Sequence, residues 1–326
     1  MSTPLKCSVI IPTYNRAFLL SQTLESLTRQ SLPADEFEVL VVDDGSSDET
    51  SIVVEGYSTR LNLRYFFRED EGWRIARARN VGIANAAAGI CVFLDSGLLA
   101  HSGCLAAHVS SHEESPVPVA VCGYVYGFNV GNQDADAITA AIDYSDPDGS
   151  IDRLAANPEW LDIREGFYDI HTEEFHDLPA PWIIFWTCDV SVSTALARSV
   201  GGFDEAFLSW GGEDLDFGYR LFNAGAKFIV NRQASAIHCP HPKSFADNNQ
   251  SAMANYRYMA EKYGTPIIRL LTEFPEGAPD DFTGYVTPWN LNQVIRERGL
   301  PSCAEYLANR GTAVTSGSAG NEDARE

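Results

Sequence analysis

The chain has 326 residues, 45% hydrophobic and 21% charged, a globular composition that excludes a disordered chain and allows one large domain or two modest ones. Twenty-three Lys plus Arg against 45 Asp plus Glu give a net charge of −22, which repels phosphate backbones and anionic lipid and argues against nucleic-acid or membrane-surface binding. Seven cysteines without a CxxC pair read as reduced, mostly buried thiols. The first apolar run stops at Pro12, too short for a signal-peptide core, and no run reaches the ~18 residues of a membrane span, so the expected location is the cytoplasm.

Cys7 to Ile11 is a short apolar run, Leu20, Leu24 and Leu27 recur at helical spacing, and Phe37 to Val42 is apolar and β-branched. That pattern predicts strand, helix, strand. It continues with a helix from Asp48 to Tyr57, a strand from Leu61 to Phe67, a helix from Trp73 to Ala88 and a strand from Ile90 to Leu94. A helix from Cys104 to His112 and a strand from Val117 to Tyr126 complete a series of βα units. Such a series predicts a mainly parallel sheet covered by helices.

The polar, Asp-rich stretch Gly131 to His176 has no sheet alternation and reads as an insertion or a lid. Aromatic residues return with Trp182, Phe185 and Trp186. Gly211-Gly212 then opens a helix to Asn223, with Leu215, Tyr219 and Phe222 on its buried face and Gly225 ending it. The expected divisions are a half from 1 to 127, a second from 128 to 250, a helical extension from 251 to 312 and a disordered tail from 313 to 326.

In open parallel sheets, ligands bind beyond the carboxyl ends of the strands. Three predicted strands run there into polar groups: Ile11-Pro12-Thr13-Tyr14-Asn15-Arg16, Val42-Asp43-Asp44-Gly45-Ser46-Ser47 and Leu94-Asp95-Ser96-Gly97. Each alone could be a turn or helix cap. Three at one sheet edge point to a binding site.

These segments, with Gly72-Trp-Arg-Ile-Ala-Arg-Ala-Arg-Asn80 between the last two, resemble the family-two glycosyltransferases in order and spacing. A second block, Gly202-Phe-Asp-Glu205 followed by Trp210-Gly-Gly-Glu-Asp-Leu-Asp216, resembles the acceptor motif of galactosyltransferases and the bacterial chondroitin polymerase. The resemblance implies the type A glycosyltransferase fold, an α/β architecture with a Rossmann-like, mainly parallel sheet and helices on both faces. The first half would bind the nucleotide sugar, most simply a UDP-sugar, and the second a hydroxyl-bearing acceptor. It places Pro12, Thr13, Tyr14, Arg16, Asp44, Arg74, Arg79, Asp95 and Ser96 at the donor. Thr13, Tyr14 and Asp44 would line the base pocket, and Arg74 and Arg79 would meet the diphosphate. Asp43 reads better as a turn-former, and Arg77 equally as a surface residue.

The family's metal motif, aspartate-any-aspartate, is here Asp95-Ser96-Gly97, so its second carboxylate is missing. His238, with His241 close behind, stands where relatives place a metal-binding histidine. The resemblance therefore leaves two arrangements open: Mn²⁺ or Mg²⁺ held weakly by Asp95, the diphosphate and His238, or a diphosphate neutralised by arginines alone. Trp210, Gly211 and Gly212 would form a sugar-stacking acceptor wall. Asp214 would be the general base for a single, inverting displacement and Glu213 would orient the acceptor. The related retaining transferases typically carry Asn where Asp214 stands. A non-catalytic sugar- or nucleotide-binding protein of the same fold, and more weakly a nucleotidyltransferase, are the rival readings.

Overall fold

The computed structural model describes residues 4–128, 133–173, 175–242, 244–275, 284–302 and 305–306. Alternating apolar segments in the first hundred residues build βα units: β1 (Cys7–Thr13), α1 (Ala17–Leu27), β2 (Phe37–Asp43), α2 (Thr50–Tyr57), β3 (Leu63–Phe67), α3 (Ile75–Asn85) and β4 (Ile90–Leu94). Side chains alternate across these strands as a two-residue period requires. Ile10, Leu40 and Phe93 join the core on one face, while Val9, Ile11, Val39, Val41 and Val92 pack with Leu20, Leu24 and Leu27 of α1 on the other. Several boundaries are tighter than the sequence reading: α2 starts at Thr50, β3 at Leu63, and α3 covers only Ile75–Asn85.

The chain continues through β5 (Leu98–Ala100), α4 (Cys104–Glu113) and β6 (Val119–Tyr126). Among its described residues, the stretch read as an insertion or lid carries three α-helices, α5 (Ala135–Ala141), α6 (Pro147–Ala155) and α7 (Glu165–His171), and a 3₁₀ turn at Pro158–Trp160. Asp146 caps α6 by accepting from the Gly149 amide, and the fully buried Arg164 pairs with Asp162 at 2.6 Å, so this segment is packed structure. Next come β7 (Asp189–Ser193), α8 (Thr194–Ser199), α9 (Glu213–Asn223), β8 (Lys227–His238), α10 (Phe245–Tyr263), α11 (Pro266–Arg269) and α12 (Leu291–Glu297). The expected division at residue 250 falls inside α10, and the tail from 313 to 326 lies outside the described residues.

Among the described residues the strands form one sheet in the order β3-β2-β1-β4-β7-β6-β8-β5. β3, β2, β1 and β4 are parallel, and so are β6 and β8. β7 runs antiparallel between β4 and β6, and β5 antiparallel beside β8. The carboxyl ends of β1, β2 and β4 therefore share one edge, and α9 reaches that edge from the second half.

Candidate active site

The first part of the site is a stitched pair of strand ends. The Asp44 amide donates to the Thr13 carbonyl at 2.9 Å, extending the β1–β2 ladder. Asn15 sits at φ 49°, where its side chain accepts from the Ser47 amide and its own amide donates to Ser46 Oγ, both at 2.8 Å. Asp43 takes the turn-forming role: Oδ1 accepts from the Gly45 and Ser46 amides, and Oδ2 from the Tyr65 hydroxyl. Asp44 points elsewhere. Its Oδ2 accepts from the Arg74 amide at 2.9 Å, and burial raises its carboxyl above the ordinary range against the opposing pull of that hydrogen bond. Beside it, Thr13 Oγ1 is buried without a hydrogen-bond partner, an open polar valence of the kind folded proteins normally fill. Tyr14 is 46% exposed and donates its hydroxyl to Asp70 at 2.9 Å.

Pro12 lies within β1, paired in register with Val42. The Arg16 guanidinium reaches the Ser96 carbonyl at 3.5 Å; burial lowers its pKa while the Asp95 charge works the other way. Arg74 meets Asp44 through its backbone, and its side chain turns toward the Trp73 carbonyl and Glu71. Arg77 pairs with Glu71 at 2.6 Å on the surface.

Arg79, expected at the diphosphate, lies between two acids. It is only 2% exposed. Nη1 donates to Glu213 at 2.9 Å and Nη2 to Asp95 at 3.1 Å, so one guanidinium ties the end of β4 to the first turn of α9. Burial disfavours its charge, and the two carboxylates outweigh that. Enclosed between two acids, Arg79 acts as a strut between β4 and α9.

The second part of the site is the loop entering α9. Gly211 and Gly212 have φ of +90° and +94°, a region that favours glycine, and they turn Trp210 outward at 43% exposure. Glu213 is buried; Arg79 engages Oε1, while Oε2 has no hydrogen-bond partner. Asp214, half-buried, accepts from the Leu215 amide at 2.8 Å. Burial first and the Glu213 charge second push its carboxyl up to about 7, against the opposing pull of Arg79 and the backbone amides at the helix start. Sequence reasoning missed Asp70, whose signal was only a short acidic run, and Asn255 and Ser251 of α10, which carry no motif and reach the Trp210 loop from more than forty positions away.

The residues near Asp95 test the metal expectation. Gly97 has φ +110°, a backbone conformation that residues with a side chain rarely adopt, although a Cβ there would make only ordinary contact with Leu19 at 3.5 Å. Arg79 engages only one Asp95 oxygen. Leu98 pairs in register with His238, whose ring lies 4.8 Å from Phe128 and 5.0 Å from His241. One carboxylate and an imidazole are a sparse donor set for Mn²⁺ or Mg²⁺, which prefer oxygen ligands. Away from this edge, Cys104, His108 and Asp189 place potential ligand atoms within 4.8 Å of one another. They belong to a buried chain in which His108 contacts Asp189 at 2.8 Å and Ser191 at 2.9 Å.

The eight-stranded sheet with a polar carboxyl edge and an acidic helix start defines the type A glycosyltransferase fold. Two solved structures share it: Staphylococcus aureus TarS 1–349 in complex with UDP-GlcNAc, at TM-score 0.54, 20% identity, 82% of this chain and 71% of that one, and the mannosyltransferase PcManGT of Pyrobaculum calidifontis in complex with GDP-Man and Mn²⁺, at TM-score 0.55, 19% identity, 95% and 76%. Residues 8–168 match the model of glycosyl transferase family 2, and residues 171–242 that of the N-terminal domain of galactosyltransferase. An uncharacterized glycosyltransferase of Bacillus subtilis, YfnE, is 30% identical over 281 residues, 79% of this chain and 71% of that protein. The chain belongs to glycosyl transferase family 2. The validoxylamine A glucosyltransferase of Streptomyces hygroscopicus subsp. jinggangensis is 38% identical over 263 residues, 81% of this chain, which spans 62% of that relative's length.

Proposed function

We propose that this chain is an inverting hexosyltransferase that moves a sugar from a nucleoside diphosphate sugar, a UDP-sugar, to a hydroxyl-bearing acceptor. The observation that carries the reading is geometric: Asp214 and Glu213 open α9, and Arg79 ties Glu213 to Asp95 at the donor edge, while burial and the Glu213 charge raise the Asp214 carboxyl. Residues 1–127 then form the donor half, and the acceptor half runs from 128 through α10. The buried Asp44 carboxylate and Thr13 hydroxyl receive the polar edge of the base, with the exposed Tyr14 ring beside them, and Arg16 faces the diphosphate near Ser96 and Asp95.

An alcohol is a poor nucleophile near neutral pH, so Asp214 takes its proton as it attacks the anomeric carbon from the face opposite the leaving diphosphate. One displacement without a covalent intermediate inverts that centre. Glu213 orients the acceptor through Oε2, and Trp210 offers an indole face to the apolar side of a sugar ring. Asp95 and His238 are the residues that would hold Mn²⁺ or Mg²⁺, which when bound would neutralise diphosphate charge. The family match and the glucosyltransferase relative support the reading.

Its location is the cytoplasm; six described cysteines are free, five of them buried, and among the described residues no helix is long and apolar enough to cross a membrane. The test is a thermal-shift screen of UDP- and GDP-sugars. Transfer from the stabilising donor to validoxylamine A and other polyols follows, with and without EDTA, the product anomer being read by NMR. Stabilisation by UDP-sugars and inverted product support the proposal; a retained anomer refutes the mechanism, and binding without transfer across acceptors favours a binding protein.

A further inference from the structure

Both matched family segments end by residue 242, yet the loop that presents Trp210 and opens α9 is held from beyond them. Asn255, buried on α10, aims its side-chain amide into the loop. Nδ2 lies 2.6 Å from the Gly211 carbonyl, 3.2 Å from that of Ser209 and 3.3 Å from that of Trp210, with Ser209 Oγ also at 3.3 Å. An amide has two hydrogens, so four acceptors share two donors. One turn earlier on the same helix face, Ser251 Oγ donates to the Trp210 carbonyl at 2.9 Å. The packing is equally close. A Cβ on Gly211 would stand 3.0 Å from that of Ala252, and one on Gly212 3.3 Å from that of Asn255.

Resting on the transferase reading, we infer that Asn255 is a positioning residue for acceptor transfer: it gathers the carbonyls of residues 209–211 and so sets where Trp210 and Asp214 stand. The two positive-φ glycines turn those carbonyls toward α10, and Asn255 satisfies them with an uncharged donor. A lysine in the same place would bring a positive charge toward the Glu213–Asp214 pair and lower the proton affinity that a base needs. Asn255 touches no reacting atom in this scheme. Its effect passes through the loop, and displacements near 1 Å at a reacting group cost up to ~100-fold in rate.

The experiment compares Asn255→Ala, Asn255→Asp and Asn255→Gln with wild type by hydrogen exchange, UDP calorimetry and steady-state transfer. In Asn255→Ala, peptides covering 205–216 should exchange faster while those covering β1 and β2 are unchanged, and UDP affinity should stay within about twofold. Transfer should fall roughly tenfold to a hundredfold with the donor KM unchanged. Asn255→Asp, which sets a carboxylate against three carbonyls, should be at least as impaired; Asn255→Gln, which keeps the donor, should recover part of the loss. Unchanged exchange at 205–216, unchanged transfer, or a parallel loss of UDP affinity would each overturn the inference. The exchange arm needs no acceptor, so a wild-type chain that transfers nothing defeats the transferase reading while the loop result still decides whether Asn255 positions the loop.

Discussion

The two sides of the site are built on different principles. At the donor edge, side chains bond backbone at their own or the neighbouring strand end: Asp43 closes its own turn, Asn15 accepts from the Ser47 amide of the next strand's turn, and Asp48 accepts from the Ala17 and Thr50 amides. On the acceptor side the groups are tied across the chain. Asn80 holds Phe203 and Glu205, Arg79 holds Glu213, and Asn255 holds the loop at 209–211. The donor edge leaves the Thr13 hydroxyl unpartnered and the Asp44 carboxyl raised, whereas the acceptor side sets an unpartnered Glu213 oxygen beside an Asp214 carboxyl that burial and the Glu213 charge raise together. A binding surface can be assembled from satisfied turns; a proton acceptor needs a group its surroundings do not fully satisfy.

The largest effect that would sharpen this contrast is Asp214→Asn. Turnover should drop about a hundredfold to ten-thousandfold while calorimetry finds the UDP affinity unchanged; near-normal turnover would move the base role to Glu213. Next is Arg79→Met, which leaves buried Glu213 without its counter-charge and should destabilise the fold by about 3–5 kcal/mol in urea titrations. It should also act on the pH profile. Asp214 must be ionised to work, so activity falls as pH drops through about 7; without Arg79 the carboxyl rises further and that acid limb moves to higher pH. An unmoved limb would separate Arg79 from the base.

Asp44→Ala addresses the donor edge alone. Loss of a charge-assisted hydrogen bond, roughly 1.5–3 kcal/mol, should weaken UDP binding about tenfold to a hundredfold and leave the acid limb in place. The smallest expected effect is on stability. The folded Asp214 carboxyl titrates above its unfolded value, so between about pH 4 and 7 the native state holds a proton that the unfolded chain has released, and stability falls as pH rises through that window. Asp214→Asn removes the cost of the buried charge. It should raise Tm by a few degrees at pH 8, on the order of 1–2 kcal/mol, and hardly at all near pH 4.

The same contrast explains what could be read from the residues. β4 is wholly apolar and β1 and β2 are apolar but for Ser8 and Glu38 before they run into Thr13, Asp43-Asp44 and Asp95, so strand and site share one local signal. Asp43 and Arg77 took the structural roles open to them. Arg79 was found by motif but its partner was hidden, because pairing with Glu213 depends on where α9 docks. β7 gave little signal: its inward positions include Asp189 and Ser191, whose burial makes sense only beside His108 and His112 of α4. β8 is interrupted by Asn231-Arg232-Gln233, and Arg232 is drawn outward to Glu165 and Glu173. The aromatics at 182–185 pack as a short 3₁₀ turn in the core, against α9 and β8.

The place of β7 also sets a problem of timing. β4, the fully apolar Ile90–Leu94, is an interior strand only because β7 pairs with it, and β7 lies far downstream in the chain. At ~5–20 residues per second of synthesis, the nascent parallel block waits several seconds with a bare, hydrophobic edge. Fragments that stop short of Asp189 should therefore be sticky, and expression of the donor half alone should give aggregates in which that open edge is the seam.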